Sequence, residues 1–70
     1  MKRYIVASTK ILKIGDYVEI YGNSFHSGDW GIIVDMYEED DEYFVAMFGN
    51  KNDVPVFSKR ELKLMKHKPL

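Results

Sequence analysis

The chain has 70 residues, of which 46% are hydrophobic, with no cysteine and a formal net charge of −1. This length predicts one domain with a thin core. The lack of cysteine excludes disulfides, thiolate nucleophiles and cysteine-bound metals. The sequence contains no apolar run of the length that a membrane span or a signal peptide needs, so we expect a cytoplasmic protein with no membrane partner.

The near-neutral total hides a separation of charge along the chain. Residues 1–14 carry four basic residues and no acid, and residues 15–50 carry nine acids and no Lys or Arg. Residues 51–70 carry six basic residues and two acids. A folded domain with this order is expected to have one acidic side and basic ends. An acidic side favours a basic protein partner, although an acidic turn also serves simply to keep a small β protein in solution.

The N-terminal region, residues 1–14, is predicted to be an arm or a short strand. Residues 3–7 are rich in β-branched side chains, which suit a pleated strand. Ile11, Leu12 and Ile14 alternate poorly with the lysines around them, and we interpret them as an extended lead-in that covers one open end of a small barrel.

The first predicted strand, residues 16–21, alternates cleanly, with Val18 and Ile20 on one face. Gly22 and Asn23 are turn formers that end it. A loop follows, in which Gly28 is expected to permit a tight return of the chain.

The second predicted strand, residues 30–37, contains three consecutive aliphatic residues, which indicates burial on both of its faces. Gly31 within it suggests a β-bulge or a close approach of another backbone. An acidic turn over residues 38–42 then leads to a third strand, residues 42–48, which is again apolar on both faces.

A fourth strand is predicted at residues 54–57, and Pro55 places it at the edge of a sheet or points that position outward, because proline cannot donate a ladder hydrogen bond. Ser58 and Glu61 have the spacing of a capping box, which predicts a single 3₁₀ turn. A short fifth strand, residues 62–65, precedes a frayed basic tail at residues 66–70.

Five short strands, a long first loop and one tight turn before the last strand resemble an SH3-like barrel over residues 15–65. Residues 15–37 further resemble the KOW motif of small ribosomal proteins and transcription elongation factors, through Gly15, Asp16, Val18, Ile20, Gly28, Gly31 and Ile33. The resemblance implies an all-β fold, a small five-stranded SH3-like barrel with a short 3₁₀ turn before the last strand. The chain is also similar to small orphan barrel proteins of bacteria and their prophages.

RNA binding is a further implication of the KOW resemblance. KOW domains that bind RNA are basic around their loops, whereas residues 15–50 contain no Lys or Arg. We therefore keep nucleic-acid binding as an alternative function. It would use the basic flanks, through phosphate contacts, if those flanks converge on one side of the domain; the residues concerned are Lys10, Lys13, Lys59, Arg60 and Lys63.

The leading hypothesis is a non-catalytic protein-interaction module, either a monomer or a weak homo-oligomer. The aromatic side chains are too many to be buried together in so small a barrel, so some are expected in an exposed patch that marks an interface. Joined with the acidic turn, they predict this partner-binding surface: Tyr21, Phe25, His26, Trp30, Tyr37, Glu38, Glu39, Asp40 and Asp41.

Catalytic, metal and cofactor sites are not predicted. His26 and Asp29 share a loop, but two residues do not make a metal site, and the sequence offers no nucleophile or phosphate-binding loop beside them. The acidic turn lacks the alternating ligands and central glycine of a calcium loop. A second alternative is a small accessory subunit of a larger enzyme.

Overall fold

The computed structural model describes residues 11–22, 25–49 and 52–66. These residues form one five-stranded antiparallel sheet without an α-helix, which confirms the all-β prediction. The strands are β1 (Tyr17–Ile20), β2 (Trp30–Tyr37), β3 (Glu42–Met47), β4 (Val56–Phe57) and β5 (Leu62–Leu64). Short 3₁₀ turns lie at Glu38–Asp40 and Lys59–Glu61, the second directly before the last strand as predicted. The predicted strand at residues 3–7 and most of the tail lie outside the described residues.

The strands are arranged in the order β4-β3-β2-β1-β5. Strands β1 to β4 follow one another as antiparallel neighbours, and β5 returns to pair with β1, so that Ile20 lies opposite Leu62. Strand β4, which follows Pro55, is an edge strand as predicted. Among the described residues the two edge strands do not pair with each other, so the sheet is open and closure into a barrel stays a prediction.

The core lies on one face of this sheet, where alternate residues of the strands point. Val18 and Ile20 are fully buried, as the alternation in the first strand predicts. Leu12 from the lead-in joins them, whereas its neighbours Ile11 and Ile14 are exposed. Each large aliphatic side chain buried here contributes about 1.5–3 kcal/mol. The core consists of Leu12, Val18, Ile20, Ile33, Tyr43, Val45, Met47, Phe57 and Leu62.

Gly31 allows strands β2 and β3 to approach closely. A Cβ atom at this position would lie 2.5 Å from the Ala46 carbonyl oxygen and 2.6 Å from Val45 Cγ1. Real Cβ atoms do not tolerate such contacts, so any other residue would push the strands apart. The close backbone approach predicted at Gly31 is therefore confirmed, and the bulge lies farther along the strand.

The bulge in β2 falls between Ile33 and Asp35, where the register with β3 shifts by one residue. An extra residue in one strand reverses which side chains face the core. After the bulge Met36 packs against the core and Tyr37 points outward. Val34, inside the bulge, is 46% exposed, so the predicted burial of all three consecutive aliphatic residues is wrong for this one.

The connection between β4 and β5 is held by the predicted capping box. The Ser58 backbone amide donates to Glu61 Oε1 at 2.9 Å, and the Glu61 amide donates to the Ser58 carbonyl at 3.0 Å. These two bonds satisfy amides that a short turn would otherwise leave unpaired. The turn thus carries the chain from one edge strand to the other.

Candidate functional site

The face of the sheet opposite the core carries a row of aromatic side chains. Trp30 stacks on Phe48, with ring centroids 4.5 Å apart and planes tilted by 16°, and the Tyr17 ring lies 5.7 Å from Trp30. Farther along β2 and β3, Tyr37 meets Phe44 edge to face at 5.8 Å. We call these five residues, Tyr17, Trp30, Tyr37, Phe44 and Phe48, the outer strip.

The strand register explains why these aromatic residues lie together. Trp30 is the first residue of β2, and its carbonyl accepts a 3.0 Å hydrogen bond from the Phe48 amide just beyond β3. Side chains on paired residues of neighbouring strands share a face, so the two rings come into contact. The bulge in β2 then turns Tyr37 to the same face as Phe44. Without that extra residue Tyr37 would point toward the core.

An apolar groove lies beside the Trp30–Phe48 stack. Its volume is about 440 Å³, and side chains of Trp30, Ile32, Ala46 and Phe48 line it, almost without polar atoms. Phe48 is 71% exposed at its rim. A large exposed aromatic ring next to an apolar recess is typical of a protein-binding surface, because burying both removes apolar area from water.

The loop between β1 and β2 is pinned by His26. This half-buried imidazole meets Phe57 of the core edge to face, with centroids 6.0 Å apart. Its Nε2 lies 3.4 Å from an Asp53 carboxylate oxygen, and its Nδ1 lies 3.8 Å from one of Asp29. The imidazole therefore ties the loop to the β3–β4 connection, a structural role. Phe25 contacts the imidazole edge-on but is 96% exposed.

The acidic turn divides into exposed and structural carboxylates. Asp41 has a left-handed backbone, with φ of 56°, and its Oδ1 accepts a 2.8 Å hydrogen bond from the Lys59 amide, 18 residues away. It therefore fastens the β2–β3 turn to the 3₁₀ turn before β5. Glu38, Glu39 and Asp40 are exposed and free to meet a partner's charges.

Tyr37 links the outer strip to this acidic end. Its hydroxyl donates a 3.2 Å hydrogen bond to Asp35 Oδ2. That hydrogen bond, together with the negative charge of Asp35, raises the pKa of the Tyr37 phenol above its ordinary value. The phenol stays a neutral donor at the border between aromatic and acidic surface.

The loop between β1 and β2, which carries Phe25, and the acidic turn lie at opposite ends of β2. Trp30 begins this eight-residue strand and Tyr37 ends it. Seven steps along a strand cover roughly 23 Å. Of the predicted partner-binding residues, Tyr21, Phe25 and Trp30 therefore lie toward one end of β2 and Tyr37 lies at the other end, with Trp30 and Tyr37 both on the outer face. The outer strip is the surface that connects the two ends.

The basic residues of the alternative site do not stand apart from the acids. Lys13 forms a 3.2 Å ion pair with Asp16, and Lys63 lies directly opposite Glu19 in the β1–β5 pairing. Arg60 is exposed, in the same 3₁₀ turn as Lys59, whose amide binds Asp41. Lys10 lies outside the described residues.

Three members of the outer strip, Tyr17, Phe44 and Phe48, were not among the predicted site residues. The available signal was that the third predicted strand, residues 42–48, is apolar on both faces. Such a strand has one face more than a single core can cover. The contact between the Phe48 and Trp30 rings could not be predicted, because it depends on how β2 and β3 are aligned and the sequence alone does not give that register.

No protein-family model, curated protein or solved structure matches this chain at a significant level. Within the ranges that the structure describes, no helix has the length and apolar character to cross a membrane. Across the same ranges, His, Asp and Glu side chains do not gather in groups of three or more that could hold a metal ion.

Proposed function

We propose that this domain is a non-catalytic protein-interaction module that binds a protein segment along its outer strip. The observation that carries the proposal is the row of five aromatic residues beside an apolar groove, on the face of the sheet that the core does not use. Aromatic side chains of this kind are the residues that dominate binding energy in protein interfaces. The groove has the character of a pocket for an apolar anchor side chain.

The proposal includes an SH3-like barrel as the fold. Support comes from the strand order, in which β5 pairs with β1 after a 3₁₀ turn. Four residues, 58–61, separate the two edge strands, and with a 3₁₀ turn among them they span at most roughly 15 Å. A flat sheet would place its outermost strands roughly 19 Å apart. A sheet that curls so that its edges approach each other, as in a small barrel, fits this short connection.

The charge at one end of the outer strip favours a basic partner segment. Glu38, Glu39, Asp40 and Glu42 are exposed around the end of the β2–β3 hairpin, next to Tyr37. Opposite charge speeds the encounter of two proteins and fixes their orientation. We therefore propose a ligand that places an apolar side chain in the groove and basic side chains toward the hairpin end.

The test is an affinity pull-down of the tagged chain from host lysate, with and without nuclease, read by mass spectrometry. The decisive variant is Phe48→Ser, and its matched control is Phe25→Ser, since both remove an exposed phenylalanine ring. We expect a protein that survives nuclease, is lost with Phe48→Ser and is retained with Phe25→Ser. Equal capture by all three chains would contradict the proposal.

Nucleic-acid binding of the KOW type remains the second candidate. The observation that favours it is the position of Lys63, which shares a face and a row of the sheet with Glu19 and Trp30. A lysine on the same face as an aromatic ring, with one strand between them, can combine phosphate contact with base stacking. The same pull-down separates the two functions, because nucleic-acid binding predicts capture that nuclease abolishes and that weakens steeply with added salt.

A large stoichiometric partner in this pull-down would instead favour an accessory subunit of an enzyme.

A further inference from the structure

We infer that the protein segment that fits the outer strip is the outer strip of a second copy of this chain, so that the domain forms a weak two-fold dimer. The inference rests on the proposed function and names its partner. Three observations carry it: the shape of the strip, the placement of charge around it and the apolar area it leaves exposed.

The shape of the strip is self-complementary. A two-fold interface brings the same patch of both copies together, so one patch must offer both a projection and a recess. Phe48 projects from the outer face and is 71% exposed, while the apolar groove beside it is lined by Trp30, Ile32 and Ala46. Two strips facing each other can therefore exchange their Phe48 rings reciprocally.

One pair of opposite charges on the outer face, Lys63 and Glu42, suits the same arrangement. Glu19 of β1 pairs with Trp30 on one side and with Lys63 on the other, so the three residues form one row across the sheet. Lys63 therefore lies on the outer face, in the same row as Trp30. Glu42 lies on the outer face in the row of Tyr37, at the other end of the strip. A two-fold axis that lies in the plane of the interface and crosses the outer strip obliquely between these rows lays each lysine over the glutamate of the other copy.

The exposed apolar area indicates how strong this dimer is. Besides Phe48, the outer face leaves Tyr37 half exposed and Val56 48% exposed. An interface made by so few exposed apolar side chains would belong with the small ones, below about 1,200 Å² in total, that form weak complexes. Association should therefore depend on concentration in the micromolar to millimolar range.

The first test is sedimentation of the full chain over that concentration range, with the emission of its single tryptophan recorded in parallel. The expected mass rises from 8.2 kDa toward twice that value. The emission of Trp30 should shift to shorter wavelength as the ring becomes covered. Phe48→Ser should abolish both changes and Phe25→Ser neither. A single mass of 8.2 kDa with constant emission at every concentration would overturn the dimer.

The second test is a charge exchange, which identifies the two-fold arrangement. Lys63→Glu or Glu42→Lys alone should weaken association about tenfold, because each change turns two symmetry-related attractions into repulsions. The chain with both changes should associate like the wild type. Thermal unfolding of each variant checks that the fold is retained. Failure of the double variant to recover association overturns the proposed axis.

These experiments separate the failure of the dimer from the failure of the proposed function. If the chain stays monomeric while Phe48→Ser still abolishes capture of a different protein, the dimer is wrong and the interaction module stands. If Phe48→Ser changes neither capture nor association, both are wrong.

Discussion

The two faces of the β2–β3 hairpin are both apolar, but the residues that the structure describes cover only one of them. On the inner face Ile33, Tyr43 and Val45 are buried in the core. On the outer face Trp30 and Phe48 stack on each other, and the groove beside them is open to solvent. The same two strands therefore carry two surfaces of similar chemistry in different environments.

The difference shows that alternation along a strand reports which side chains share a face and not what covers that face. A chain of this length has apolar residues enough for one thin core. Aromatic side chains beyond that number must be scattered or gathered, and here five of them lie on the outer strip whereas Tyr21 and Phe25 are exposed elsewhere. Gathering them exposes a contiguous apolar patch, which is a cost unless a partner covers it.

Truncating the adjacent isoleucines on opposite faces should have very different effects on the free energy of unfolding. Ile33→Ala removes a fully buried side chain and should lower the free energy of unfolding by about 2–5 kcal/mol. Ile32→Ala on the outer face should cost less than about 1 kcal/mol, because Ile32 is only partly buried and borders the groove. Urea denaturation of both variants measures the difference. Equal losses would contradict the assignment of the two faces.

Gly31 tests how closely the hairpin strands approach. In Gly31→Ala the new methyl group meets the Ala46 carbonyl oxygen, a backbone atom that cannot rotate away. We expect a loss of about 1–3 kcal/mol in the free energy of unfolding, measured in the same urea experiment. Adding Val45→Ala relieves the second contact and should not restore stability. A neutral Gly31→Ala would show that the strands are farther apart than described.

The acidic turn is expected to respond unevenly to substitution. Asp41→Ala removes the acceptor for the Lys59 amide and an αL-tolerant residue, so it should cost about 1–2 kcal/mol in unfolding free energy. Asp40→Ala is the matched control and should change stability by less than about 0.5 kcal/mol. Asp41→Asn keeps an oxygen acceptor and should retain most of the stability. A larger loss of unfolding free energy in Asp40→Ala than in Asp41→Ala would contradict the structural role of Asp41.

The smallest expected effect is a titration. The pKa of Tyr37 is raised mainly by its hydrogen bond to Asp35, so the protonated phenol is favoured in the folded state. The stability from this bond is present below the ordinary tyrosine pKa and is lost as pH rises through the raised value. Ultraviolet difference titration should show a high-pH phenol transition that Tyr37→Phe removes and Asp35→Asn moves to lower pH. An unchanged transition in Asp35→Asn would assign it to another tyrosine.

Much of the fold could be predicted because it depends on local chemistry. Alternation located β1, the acidic turn separated β2 from β3, and Pro55 marked an edge strand. The capping box of Ser58 and Glu61 predicted the 3₁₀ turn from a four-residue pattern. In each of these cases the residues that decide the structure lie within one turn or one strand of each other.

The remainder depends on contacts between distant residues. The bulge in β2 could not be located from the sequence, because three consecutive aliphatic residues allow either set of alternate side chains to face the core. Only the pairing with β3 shows which set does so. The hydrogen bond from Lys59 to Asp41 joins two turns that the sequence leaves unrelated. The contacts of His26 with Phe57 and Asp53 likewise join residues that are distant in the sequence. Of the predicted site, Trp30 and Tyr37 are on the outer strip.

The central claim is that the outer strip, and not the loop before β2, is where this domain meets its partner. The most direct measurement is the amide spectrum of the ¹⁵N-labelled chain, recorded as its concentration is raised and again with a captured partner. The account predicts shifts concentrated at Trp30, Ile32, Phe44 and Phe48, including the indole of the single tryptophan. Shifts concentrated at Phe25 and its neighbours, with the outer strip unchanged, would contradict it.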